Sequence, residues 1–144
     1  MASADVPHLG RLLVVDDHPD SVTVVAEYFT HAGYEVFGAH NGRDALGMVD
    51  QHRPDVVLLD IRMPGMSGVE VLQQIRLRWR ALPVVMVSGA DDVELARSCL
   101  RRGALDYVRK PFDFDNLHRA VAAAAARAAT GEGPWASALE PTSR

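Results

Sequence analysis

The chain has one cysteine, no long apolar run and no surplus of basic residues. Cys99 is the single thiol in 144 residues, so no internal disulfide can form and nothing points to an oxidising compartment. No segment approaches the roughly 20 apolar residues of a membrane span. Met1–Gly10 holds no basic segment followed by an apolar run, so no secretion signal is expected and the cytoplasm is the default location. The formal net charge is −4, which argues against direct nucleic-acid binding, since a phosphate backbone asks for a basic face. The six histidines lack metal-ligand spacing. A Gly-x-x-x-x-Gly-Lys-Ser/Thr nucleotide loop is absent, and so is any internal repeat.

What is present suits one domain with a proper core. Hydrophobic residues make up 48% of the chain, enough to fold without disulfides or a structural metal. Five apolar runs stand out: Leu12–Val15, Tyr34–Ala39, Val56–Leu59, Val84–Val87 and Leu105–Val108. All but the mixed Tyr34–Ala39 lack clean polar alternation, the habit of strands buried on both faces of a parallel sheet. Helix signals lie between them. Pro19 suits a first turn, with Val22, Val25, Ala26 and Phe29 on one face and Gly33 as the left-handed stop. Asn41 can cap a helix carrying Ala45, Leu46 and Val49. Ser67 with Glu70 forms a capping box before Val69, Leu72 and Ile75. Asp91 with Glu94 is a weaker start leading to Leu95 and Cys99. A last helix from near Asp113 carries Leu117, Val121 and Ala124, and its Ala122–Ala126 run favours helix.

Strand then helix, repeated, predicts an α/β fold: one five-stranded parallel sheet with helices on both faces and right-handed crossovers. The domain is expected over 11–128, with flexible tails at 1–10 and 129–144. Gly131, Gly133 and Pro134 make the second tail similar to an interdomain linker.

In an open α/β sheet, ligands bind beyond the carboxyl ends of the strands. Asp16-Asp17 follows the first strand, Asp60 with Ile61-Arg62-Met63-Pro64-Gly65 the third, Ser88-Gly89 the fourth, and Arg109-Lys110-Pro111-Phe112 the fifth. Three carboxylates, a hydroxyl and a lysine thus converge on one rim. Clustered carboxylates disfavour one another's ionised form unless a cation sits among them. Mg²⁺ fits, because it takes oxygen ligands and often pairs one or two carboxylates with a phosphate oxygen. A carboxylate can also attack phosphorus to give an aspartyl-phosphate. That transfer needs positioning and charge neutralisation more than proton chemistry, and Lys110 and Ser88 can supply both.

These residues, Leu-Leu-Val-Val-Asp16-Asp17, Asp55-Val-Val-Leu-Leu-Asp60-Ile-Arg-Met-Pro-Gly, Val87-Ser88-Gly89-Ala90 and Asp106-Tyr107-Val108-Arg109-Lys110-Pro111-Phe112, resemble the response-regulator receiver family of two-component signalling over about Arg11 to Ala128. The resemblance implies a CheY-like, flavodoxin-like fold with strand order 2-1-3-4-5. It implies Asp60 as phosphoacceptor, Asp17 and Asp60 as side-chain ligands of Mg²⁺ with Asp16 assisting, and the backbone carbonyl of Arg62 as a further ligand. It implies Ser88 and Tyr107 as the switch pair, Lys110 as the invariant lysine, and a cis bond to Pro111. The implied partners are a histidine kinase or histidine phosphotransfer protein and an output protein or domain. A monomer or a phosphorylation-dependent dimer is expected.

Each fragment alone reads plainly: an Asp-Asp pair caps a turn, and Lys-Pro and Ser-Gly make loops. Order and spacing together carry the resemblance. Two rivals remain. A haloacid-dehalogenase-like phosphohydrolase would place an acid/base Asp where Arg62 stands, and a pseudo-receiver would have lost Asp60 or Lys110. The switch reading expects no enzyme activity on an external substrate. Arg62 and Ala90, two residues after Asp60 and Ser88, depart from the common pattern at positions flanking the attacking water, and the long cation at Arg62 is expected to screen the pocket. His18, directly after the acidic pair, reads first as part of a helix start and second as a contact of the pocket rim, and Trp79 reads as a lid on the core edge. The sets Arg76, Arg78, Arg80 and Arg97, Arg101, Arg102 read as solvated faces, the second lying near the region that receivers use for partner contact. The last helix lacks the charged pattern of winged-helix regulators, which counts against dimerisation through that face.

Overall fold

The computed structural model describes residues 9–89, 91–129 and 134–135. Strands and helices alternate: β1 (Arg11–Val15), α1 (Pro19–Ala32), β2 (Glu35–Ala39), α2 (Gly42–His52), β3 (Val56–Asp60), α3 (Gly68–Arg78), β4 (Val84–Ser88), α4 (Val93–Arg101), β5 (Asp106–Arg109) and α5 (Phe114–Ala129). The strands form one parallel sheet in the order β2-β1-β3-β4-β5.

The three inner strands explain the unbroken apolar runs. β3 and β4 are buried along their whole length, and β1 from its second residue on. Edge strands β2 and β5 are more polar and more open. Successive residues point to opposite faces, so the sheet divides two apolar clusters. On one face Leu13, Val15, Leu59 and Met86 meet Val49, Leu72, Ile75 and Cys99 from α2, α3 and α4. On the other, Leu12, Leu58 and Val85 meet Val25, Phe29, Leu117 and Val121 from α1 and α5. Each fully buried aliphatic side chain contributes about 1.5–3 kcal/mol. No helix among the described residues is long and apolar enough to cross a membrane.

Local chemistry sets the helix ends. Gly33 stops α1 at φ 111°, a conformation that L side chains rarely adopt. Asn41 Oδ1 accepts the Asp44 N–H at 2.8 Å. Ser67 and Glu70 cap one another's backbone N–H groups, at 3.3 and 2.9 Å. Asp113 Oδ1 accepts the Asn116 N–H at 2.7 Å.

Two expectations change. The start expected at Asp91 shifts to Asp92, whose side chain makes no capping bond. Arg76 is not on a solvated face: it is half-buried, its guanidinium donates to the carbonyls of Arg80 and Leu82, and burial lowers its pKa from the ordinary arginine value. The segments expected as tails, 1–10 and 129–144, lie mostly outside the described residues; Leu9 and Trp135 are among those described. Leu9 N–H bonds the Gly33 carbonyl at 3.0 Å. The Trp135 indole N–H bonds the Pro54 carbonyl at 2.7 Å, with its ring centroid 6.5 Å from that of Trp79.

Candidate functional site

The chain leaves β1 toward the β2 edge and leaves β3 toward β4. That divergence opens a crevice at the carboxyl ends of β1 and β3. The register Val15↔Leu59 sets Asp16, one residue on, beside Asp60. Asp60 pairs in register with Val87, and Ser88 with Arg109. Backbone bonds fix the rim: Asp16 N–H to Ala39 at 3.1 Å, Ile61 N–H to Val87 at 3.1 Å, and Lys110 N–H to Ser88 at 2.7 Å. The Lys110–Pro111 peptide is cis.

Lys110 Nζ lies 3.2 Å from Asp60 Oδ1 and 3.6 Å from Asp16 Oδ2. Asp16, Asp60 and Ser88 are buried. Burial pushes the Asp60 carboxyl up to about 6; Lys110 opposes this, and the charges of Asp16 and Asp17 add to it. Burial also works against the Lys110 charge, but Asp60 and Asp16 outweigh it and hold that pKa above the ordinary lysine value. The His18 ring nitrogen Nδ1 lies 3.2 Å from Asp16 Oδ1 and 3.3 Å from Asp17 Oδ1. The ligand atoms of Asp16, Asp17 and His18 all fall within 4.8 Å of one another.

Two buried polar atoms at this rim make no hydrogen bond among the described residues: Ser88 Oγ, and Asp17 Oδ1, which has the His18 ring nitrogen 3.3 Å away but outside hydrogen-bonding geometry. Such groups are costly and ask for a ligand. An orphaned carboxylate oxygen beside two further carboxylates is an oxygen donor set that suits a hard divalent cation. Asp16, Asp17 and Asp60 would hold it.

Tyr107 is half-buried on β5, in register with Met86, and packs against the cluster on the α2–α4 face. The Arg62 side chain is paired with Asp92. Its Nε and Nη2 donate to Asp92 Oδ1 at 2.9 and 2.7 Å. Ala90 lies outside the described residues. Between α1 and the loop after β5, a cavity of about 470 Å³ lined by Val24, Val25, Phe112 and Phe114 reaches Asp60 and Lys110.

Sequence reasoning missed two residues of this rim. A Cβ on Gly68 would stand 2.2 Å from the Asp60 carbonyl oxygen and 2.7 Å from Ile61 Cα. Only glycine lets α3 start against the end of β3, where the Gly68 N–H bonds the Ile61 carbonyl at 2.7 Å. The available signal was a glycine at a first helical position, where better helix formers are normally preferred. Asp92 was hidden by its neighbour Asp91, which fits the cap spacing as well.

The family described as response regulator receiver domain matches residues 12–122. The chain belongs to that family. Sporulation initiation phosphotransferase F of Bacillus subtilis is 35% identical to this receiver over 77% of the chain and 90% of that protein. Regulatory protein AtoC of Escherichia coli is 42% identical over 78% of the chain but only 24% of that protein. The receiver therefore spans about a quarter of AtoC's length. Among solved structures, the receiver domain of NtrX from Brucella abortus is similar at TM-score 0.77 and 37% identity, covering 80% of this chain and 98% of that one. A response regulator receiver domain protein from Clostridium thermocellum gives TM-score 0.80 at 27% identity, covering 83% and 97%.

Proposed function

We propose that this receiver takes one phosphoryl group on Asp60 from a histidine kinase or histidine phosphotransfer protein and acts as a two-component switch. The observation that carries this reading is Asp60 itself: a buried carboxylate, 3.2 Å from Lys110 Nζ, at the switch point of the sheet beside two further carboxylates. An Asp60 oxygen attacks phosphorus, the bond from phosphorus to the donor breaks, and the donor group leaves with the electron pair. Lys110 neutralises a phosphoryl oxygen, and the Ser88 hydroxyl donates to another. Asp16, Asp17, Asp60 and the Arg62 carbonyl would hold Mg²⁺, which would supply charge neutralisation when bound. The chain's chemistry is confined to its own phosphorylation and dephosphorylation.

The switch follows from the orphaned hydroxyl. A phosphoryl group adds charge and acceptor oxygens at Asp60. Ser88 Oγ, buried without a partner, gains one. That difference biases the strand end carrying Ser88 and the neighbouring Tyr107 toward a second packing, which an output partner reads. AtoC and ZraR are named as regulatory proteins and are several times longer than this match, so an output domain following the receiver fits. The test is incubation with a small acyl phosphate, with and without Mg²⁺, followed by intact mass. One phosphoryl group is expected with Mg²⁺ only, and none on Asp60→Asn. Equal labelling of Asp60→Asn would refute the assignment.

A further inference from the structure

The starts of α2, α3 and α4 are built differently. Asn41 and Ser67 have extended backbones, at φ −158°, ψ 168° and φ −71°, ψ 164°, and both side chains cap their helices. Asp92 has φ −108° and ψ 26° and caps nothing. Aspartate is among the best capping residues, so its carboxylate is engaged elsewhere. Both Nε and Nη2 of Arg62 converge on its Oδ1. The Asp92 side chain is 7% exposed and that of Arg62 72%, so the anionic end of the pair is buried and the cationic end faces solvent. Arg62 stands two residues after Asp60, and Asp92 four after Ser88. The Asp92 N–H bonds the Gly89 carbonyl at 3.1 Å. One ion pair thus ties the loop after the acceptor to the segment after the unpartnered hydroxyl.

We propose that the Arg62–Asp92 pair is a latch holding the unphosphorylated receiver, and that phosphorylation frees Asp92 to cap α4. Two arrangements are available to the same carboxylate: paired with Arg62, or extended and bonded to the N–H groups of the first turn of α4, as Asn41 and Ser67 are at their helices. A pull on Ser88 toward Asp60 moves the segment that carries Asp92 and strains the ion pair. The cap then compensates for the lost pair, so the two states differ at discrete positions rather than along a continuum. Asp92 acts through Arg62 and the backbone and touches no reacting atom; it is a positioning residue. The proposal rests on the receiver reading.

The test is the affinity for beryllium trifluoride, a non-transferable mimic of the phosphoryl group, in excess Mg²⁺. Opening the latch raises the competent fraction and so tightens apparent binding. Asp92→Asn keeps the shape and the capping ability, and Arg62→Gln removes the cationic partner of Asp92; each is expected to bind about 3- to 10-fold more tightly than wild type. The double variant is expected to gain no more than either single one. Asp92→Ala, which opens the latch but cannot cap, is expected to gain less, and amide exchange in the first turn of α4 to be faster in it than in Asp92→Asn. Unchanged or weaker binding in Arg62→Gln and Asp92→Asn, or additive gains in the double variant, would overturn the latch while leaving the receiver reading intact. Wild type that binds no mimic would overturn both.

Discussion

Asp60→Asn is expected to make the unphosphorylated protein more stable. Burial holds the Asp60 carboxyl at about 6 against an ordinary 3.8. The difference corresponds to a folded-state cost of at most about 3 kcal/mol once the group is ionised in both states. That figure already includes the attraction of Lys110; with local relaxation and solvent screening the net gain is expected at about 1–2 kcal/mol, a rise of about 3–8 °C in melting temperature for a domain of this size. The pH dependence follows from the direction of the shift. At neutral pH the carboxylate is charged folded and unfolded, and wild type bears the whole cost. As pH falls through about 6 the folded state binds the proton first, and below about 4 both states are protonated and the cost is gone. The variant's advantage should therefore be largest at neutral pH and shrink on acidification. Thermal melts with divalent cations chelated, across this range, are the assay. A variant that melts at or below wild type at neutral pH, or an advantage that does not change with pH, would refute the reasoning.

Three further changes probe the parts that build the rim. Gly68→Ala sets a methyl against backbone on two sides, at 2.2 and 2.7 Å, so the start of α3 must retreat; a loss of about 1–3 kcal/mol in denaturant unfolding and weaker Mg²⁺ binding by titration are expected. Lys110→Ala removes a cation 3.2 Å from the acceptor and should slow labelling by a small phosphodonor about 100-fold in an intact-mass time course, as loss of one preorganised charge-stabilising group does. Ser67→Ala breaks half of a reciprocal cap and should cost about 1 kcal/mol in chemical denaturation with little effect on labelling.

The fold was legible wherever burial on both faces left an unbroken apolar run. Val56–Leu59 and Val84–Val87 announced β3 and β4 because nothing on those inner strands faces water. The rim was legible for a related reason: residues at strand ends are ordered by topology, so Asp16, Asp60, Ser88 and Lys110 arrive together once the sheet is parallel. The strand order itself came from family resemblance, since periodicity carries no information on which strands are neighbours. Two of the failures share a cause as well. The partners of Arg62 and Trp135 are set by long-range geometry: Arg62 reaches Asp92 across two loops, and Trp135 returns to Pro54. Arg76 differs, since it turns inward to the carbonyls of Arg80 and Leu82 just past its own helix. A side-chain type and its neighbours in sequence do not specify such contacts. Gly68 was missed because a close backbone approach leaves no mark except the lack of a side chain.

The central claim is that Asp60 carries the phosphoryl group. Its most direct test is peptide mass mapping of the protein after incubation with an acyl phosphate and Mg²⁺. The account predicts a single phosphorylated peptide containing Asp60, lost when Mg²⁺ is chelated. A phosphoryl group mapped to another residue, or labelling of Asp60 at full rate without the metal, would contradict it.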